Sequence, residues 1–181
     1  MSSKISLIIL VLSLLLNFGC AQEKAEQPQF RFKPGSEPLG FRGYEWGADY
    51  HQLWPELNYL NFEIDKRDIK YRKKEERLDL GQAQVENIDY YFWKNKFYAV
   101  TIYSKGEANF KYLKKGLVEE FGQTHLQQHE QDWVRFYWSG EIANVDLRYI
   151  QTNSLSSLRI EEKRTAEIVR REKLKLIEKI K

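Results

Sequence analysis

The chain has 181 residues, about one domain's worth, with 42% hydrophobic and 14% aromatic residues, enough for a packed core and too apolar for global disorder. Lys and Arg number 29 against 26 Asp and Glu, a net charge of +3 that gives no case for nucleic acid. With a single cysteine and no Gly-rich phosphate loop, a zinc ribbon and a nucleotide fold are also excluded, and no cofactor is indicated.

Residues 1–4 carry one positive charge, and residues 5–18 are apolar apart from Ser6, Ser13 and Asn17 before Gly19 and Cys20. This is the layout of an export signal. Fourteen residues span only about 21 Å as a helix, short of the roughly 30 Å hydrocarbon core. Cys20 has no partner for an intramolecular disulfide. The segment resembles a bacterial lipoprotein signal, in which the cysteine at the cleavage point becomes the acylated first residue, although Asn17 stands where that signal usually has Leu. The resemblance implies a signal peptide over 1–19, lipidation at Cys20, membrane attachment through it, and a position in the bacterial envelope facing the periplasm. Ala21 after the cysteine favours the outer membrane where there is one.

Residues 20–39 contain three prolines and few aliphatic residues and read as a flexible tether, with Phe30 and Phe32 either exposed in it or docked on the domain. A globular domain is expected over 40–162. Asp49 is a candidate N-cap with Gln52 at the capping-box position, and Pro55 ends that helix early. Residues 58–77 read as an exposed, basic hairpin.

The alternation of Ile88, Tyr90 and Phe92 with Tyr98, Val100 and Ile102 predicts a hairpin whose three-residue loop pairs Phe92 with Tyr98, Tyr90 with Val100 and Ile88 with Ile102. Tyr91, Trp93, Phe97 and Tyr103 then fall on the other face, which either packs on the rest of the fold or binds a partner. Ser104 and Glu107 form a capping-box pattern before a helix carrying Phe110, Leu113, Leu117 and Phe121 and closed by Gly122. A second hairpin turns at Gly140-Glu141, setting Val134 opposite Leu147, Phe136 opposite Val145, Trp138 opposite Ala143, and Arg135 opposite Asp146. A strand from 155 to 160 follows.

The fold class is therefore α+β, two helix-then-antiparallel-strands halves forming a helix-covered sheet, with a charged C-terminal helix over 163–181. From residue 161 onward there are eight basic and five acidic residues, so the helix reads as a solvated extension only partly packed on the domain, or as a basic arm that meets a partner or an anionic surface. On the solvated reading, deletion of residues 165–181 leaves the domain folded.

The order of elements is similar to the tandem helix-plus-three-strand units of β-lactamase inhibitor proteins. Phe41-x-Gly43-x-x-Trp46-Gly47, Leu80-Gly81, Tyr90-x-Phe92, Phe97-x-x-Val100 and Phe121-Gly122 resemble a family of uncharacterised bacterial envelope lipoproteins, which implies no activity.

No nucleophile motif is present, and no catalytic or metal-binding residue is assigned. The function expected is that of a membrane-tethered, non-enzymatic module that binds or scaffolds another envelope protein, with Tyr91, Trp93, Arg170, Arg171 and Lys175 as candidate partner contacts. Its rival is a periplasmic hydrolase or metal-dependent enzyme using His125 and His129, four residues apart, or His51 beside Asp49 and Glu56.

Overall fold

The computed structural model describes residues 32–62 and 66–180. Cys20, the apolar leader and Phe30 lie outside the described residues. Among the described residues the fold mixes three α-helices with one large antiparallel sheet of eight strands.

Two short hairpins, β1 (Gly40–Phe41) with β2 (Tyr44–Glu45) and β5 (Asp79–Leu80) with β6 (Ala83–Gln84), stand apart from that sheet. Helix α1 (Tyr50–Leu53) passes into a 3-10 turn at Trp54–Glu56, since Pro55 cannot continue an α-helix. The sheet strands are β3 (Leu57–Phe62), β4 (Asp68–Lys73), β7 (Asn87–Trp93), β8 (Lys96–Lys105), β9 (Leu126–His129), β10 (Trp133–Ser139), β11 (Ala143–Ile150) and β12 (Leu155–Glu162). Helices α2 (Glu107–Phe121) and α3 (Lys163–Ile180) complete the chain. The strand order is β3-β4-β7-β8-β12-β11-β10-β9.

One apolar cluster holds the alternating residues of the strands, Ile88, Tyr90, Val100, Ile102, Phe136, Trp138, Val145, Leu147 and Leu158, together with Phe110, Leu113, Leu117 and Phe121 of α2. The Phe110 ring stacks on Tyr149 at 4.5 Å. A smaller cluster on the other side joins Tyr91, Trp93, Tyr98 and Ala99 to Ala166 and Val169 of α3.

The expected pairs Tyr90 with Val100 and Ile88 with Ile102 are present, but the turn between β7 and β8 has two residues. Lys94 and Asn95 both take positive φ, at 49° and 65°, the conformation of a type I′ turn. A bulge next to Phe92 absorbs the parity difference, so Phe92 pairs with Phe97 and not with Tyr98. Phe97 thereby belongs to the main core, and Tyr98 points to the opposite side.

The β10–β11 register is two residues away from that expected. Phe136 pairs with Leu147, Trp138 with Val145, Val134 with Tyr149, and the turn centres on Glu141 and Ile142, with the Gly140 N–H donating to Ala143 O. A shift of two preserves which face each side chain occupies, so the core residues are unchanged. Gly140 has another use. The carboxylate of Glu37 lies where its Cβ would be and accepts the N–H groups of Ile142 (2.6 Å) and Ala143 (2.9 Å).

Two further expectations are corrected and a third is refined. Ser104 does not cap α2; it is buried in β8, and Gly106 stands at the N-cap with no side-chain bond. Residues 32–39 are not free tether: Phe32 meets Phe121 edge-on at 5.3 Å, the Lys33 N–H donates to Phe121 O, and Trp46 Nε1 donates to Pro38 O. The C-terminal helix is packed on the domain in part, as an extension only partly docked would be, with Ala166 and Val169 buried while Leu174 and Ile177 are exposed, and this anchoring is firmer than a segment dispensable for folding implies.

The Phe-x-Gly-x-x-Trp-Gly segment has a structural explanation. Gly43 at φ 84° turns the β1–β2 hairpin, Trp46 lies 5.0 Å from Phe97, and the Gly47 N–H donates to Phe97 O. The motif is the clasp by which the N-terminal hairpin holds β8.

Candidate functional site

The sheet side that bears Tyr98 carries polar residues at alternate positions of three neighbouring strands. Arg135 on β10, Asp146 and Arg148 on β11, and Arg159 and Glu161 on β12 project together, and α3 adds Ala166, Val169, Arg170 and Lys173. They line a groove of about 370 Å³, with Tyr91, Tyr98 and Tyr137 supplying aromatic surface.

Each carboxylate in the groove is shared by two arginines. Asp146 accepts from Nε and Nη2 of Arg135 at 2.9 Å each and from Nη2 of Arg148 at 2.7 Å. Glu161 accepts from Nε of Arg159 at 2.8 Å and also meets Arg170. The guanidinium of Arg159 donates to Thr101 Oγ1 (3.0 Å) and lies 4.7 Å from the Tyr91 ring, which together hold it flat against the sheet. Arg135 lies 5.0 Å from the Tyr137 ring. The expected Arg135–Asp146 ion pair is present, though diagonal, since the residue directly opposite Arg135 is Arg148.

These pairings set the protonation states. Burial alone pushes the Asp146 carboxyl up, but hydrogen bonds from Arg135 and Arg148 outweigh it and leave its pKa below the ordinary carboxylate value. Burial likewise opposes the charge on Arg159, yet Tyr98 and Glu161 hold its pKa above the ordinary value. Burial raises the phenol pKa values of Tyr91 and Tyr98, so both stay neutral hydrogen-bonding groups at physiological pH. Behind the groove wall, the Tyr98 hydroxyl donates to Oδ1 of the fully buried Asp68 at 3.0 Å, while Lys173 reaches Oδ2 at 3.2 Å.

The expected partner contacts fall in different places. Tyr91 and Trp93 are 6% and 7% exposed and pack against α3, so of the two readings of this face the one present is packing within the chain, and neither ring is open as a partner contact. Arg170 is half exposed at the groove, whereas Arg171 and Lys175 lie exposed along α3, with Lys175 paired to Glu172 at 3.0 Å.

The histidines do not assemble. His125 precedes β9 and His129 ends it, and four residues of extended chain span about 13 Å, in contrast to the single helical turn that zinc spacing requires. His125 Nδ1 accepts the Ser139 N–H at 2.7 Å. Beside His51, Asp49 caps α1 by accepting the His51 N–H (2.9 Å) and pairs with Lys96, and Glu56 pairs with Lys73 at 2.8 Å. Both carboxyls are thereby held below their ordinary pKa values. Among the described residues no three His, Cys, Asp or Glu side chains are grouped to hold a metal ion.

A second cleft of about 740 Å³ lies between α2 and residues 35–42, floored by Leu158 and Ile160 of β12. Gly116 of α2 lines it, and a Cβ there would meet nothing within 4 Å.

The arginine groove went unread in the sequence, but a signal exists. Polar residues alternate with the apolar ones on β10, β11 and β12, with charges at Arg135, at Asp146 and Arg148, and at Arg159 and Glu161, and three consecutive strands with the same phase place them in one patch. Comparison of the chain with family models, with curated proteins and with solved structures gives no match.

Proposed function

We propose that this chain is a non-enzymatic binding module of the bacterial envelope, lipid-tethered through Cys20 and engaging another envelope protein through the arginine-lined groove beside α3. The tether rests on the sequence order of a short apolar segment, Gly19 and the lone Cys20. The binding role rests on one observation above all: two carboxylates are each shared by two arginines, which leaves guanidinium N–H groups facing an accessible groove. Arginine and tyrosine are also the residues that dominate binding energy at protein interfaces.

The architecture proposed with it is a pair of half-units, each a helix followed by a four-stranded meander. It is supported by the symmetry of the strand order, in which β3-β4-β7-β8 and β9-β10-β11-β12 run inward from the two edges and meet at β8 and β12. The burial of α2 residues with one side of the sheet and α3 residues with the other supports a helix-covered sheet.

The test is a photo-crosslinking amino acid placed at Tyr137 in the full chain expressed in cells, with Lys111 on the outer side of α2 as a control position. The reading expects one identified envelope protein captured from Tyr137, not from Lys111, and lost in Arg148→Glu. It expects acyl-lipid labelling that Cys20→Ala abolishes together with membrane retention. Equal capture from both positions overturns the groove as the site, and a wild-type chain without lipid overturns the tether.

A further inference from the structure

Arg135 and Arg148 occupy directly opposed positions on β10 and β11. Like charges so placed destabilise a sheet. Asp146, diagonal to Arg135 and two residues from Arg148 on the same strand, is the acceptor they share. Across the groove Arg159 and Arg170 divide Glu161 in the same way. With Lys173 matched to Asp68, five cations face three carboxylates, and two positive charges remain uncompensated.

The α3 flank of the groove changes character along its length. Arg170, Lys173 and Ile177 follow one side at helical spacing, and Leu174 sits one turn beyond Arg170. Leu174 and Ile177 are 59% and 53% exposed, so the basic groove ends beside an uncovered apolar step.

From this charge excess and its apolar border we infer that the groove receives an acidic peptide segment, two of whose carboxylates take the open guanidinium edges of Arg135, Arg148 and Arg170 while a neighbouring aliphatic side chain rests on Leu174 and Ile177. The inference rests on the binding role proposed above and names its ligand. A carboxylate suits the site for a specific reason: the groove already holds two carboxylates by paired arginines, and the planar guanidinium fork matches that group with two parallel hydrogen bonds. The uncompensated charge equals that of two carboxylates.

The experiment titrates the full chain, in detergent, into a fluorescein-labelled peptide of alternating Glu and Leu, with a Gln-for-Glu peptide as control and anisotropy as readout. Binding to the Glu peptide should weaken at least about tenfold for the Gln peptide and for Arg148→Gln or Arg170→Gln, each loss corresponding to one charged hydrogen-bonded contact. It should also fall as salt rises from about 0.05 to 0.5 M. Both arginines are more than half exposed, so neither substitution removes a core contact. Equal binding of the two peptides, or binding unaffected by either substitution, overturns the inference. So does failure to bind the Glu peptide when phosphatidylglycerol vesicles bind the wild-type chain and not the variants, which would give the groove to a lipid surface. Persistence of the Tyr137 crosslink without peptide binding would leave the binding role standing and remove only the acidic ligand.

Discussion

Lys173, on α3, reaches a carboxylate that has no contact with water: its Nζ lies 3.2 Å from Oδ2 of Asp68, which is 0% exposed. A helix that reads in sequence as a charged appendage therefore neutralises a buried charge in β4. Replacing Lys173 leaves Asp68 in low dielectric with the Tyr98 hydroxyl as its remaining side-chain support. Lys173→Met is expected to cost about 2–3 kcal/mol in urea unfolding. The double change Asp68→Asn with Lys173→Met should recover most of that loss, whereas strict additivity of the two single changes would show that the pair does not interact.

The packing of α3 reverses the expectation for truncation. Ala166 and Val169 are buried against Tyr91, Trp93, Tyr98 and Ala99, so removal of residues 165–181 uncovers a contiguous aromatic surface as well as Asp68. The truncated chain should lose its cooperative thermal transition or bind a hydrophobic dye strongly. Val169→Ala, a milder change, should cost about 1–3 kcal/mol. A truncated chain with wild-type stability would place α3 outside the core.

Acid should weaken the groove through Asp146. Its folded-state pKa lies below the unfolded value, so its contribution is fully present above about pH 4 and is lost as pH falls through the folded-state pKa. Asp146→Asn removes this titration and leaves Arg135 and Arg148 opposed without their shared acceptor. Thermal melts from neutral pH downward should show the variant less stable at pH 7, with the gap to wild type narrowing below about pH 4. A constant gap would assign the effect to something other than the ion pairs.

Phe136, 2% exposed and 6.1 Å from the Phe110 ring, should cost about 3–5 kcal/mol when cut to Ala. Gly116→Ala should act in the opposite direction. The site is helical and a Cβ meets nothing there, so about 1 kcal/mol of helix propensity is gained without a clash. Denaturant midpoints for both variants check the two signs together.

Much of the fold follows from local pattern. The pairs Tyr90 with Val100 and Ile88 with Ile102 and the stripe from Phe110 to Phe121 follow from their periods, although β7 and β8 are buried on both faces and Tyr98 lies on the side opposite to that expected. The two-residue turn at Lys94-Asn95 was hidden because a bulge restores the parity that a longer loop would give, and Phe97 and Tyr98 are aromatic alike. The pairing of β8 with β12 joins residues 50 to 62 positions apart, beyond the reach of any turn signal. The role of α3 was obscured by composition, since it buries only small side chains and makes its most specific contact with a lysine. Of the candidate site, Arg135 with Asp146 was legible as a cross-strand pair, and Arg170 as a basic residue. What gathers the arginines is a pair of consecutive hairpins, β10 with β11 and β11 with β12, and only the tyrosine side of the groove depends on the long-range pairing of β12 with β8.

The strap from Phe32 to Leu39 also has a mechanical consequence. Tension arriving from the N-terminal side reaches the Phe32 ring and the Lys33–Phe121 hydrogen bond before Glu37 and its two backbone donors, and all of these before any strand of the large sheet. Contacts arranged in series are loaded one at a time, so the strap peels while the cross-strand ladders remain intact. Since residues 35–42 form one wall of the 740 Å³ cleft, peeling widens that cleft down to Leu158 and Ile160. A pull on the leading end of this domain is thus expected to bare its apolar floor first, on the side of the sheet away from the arginine groove.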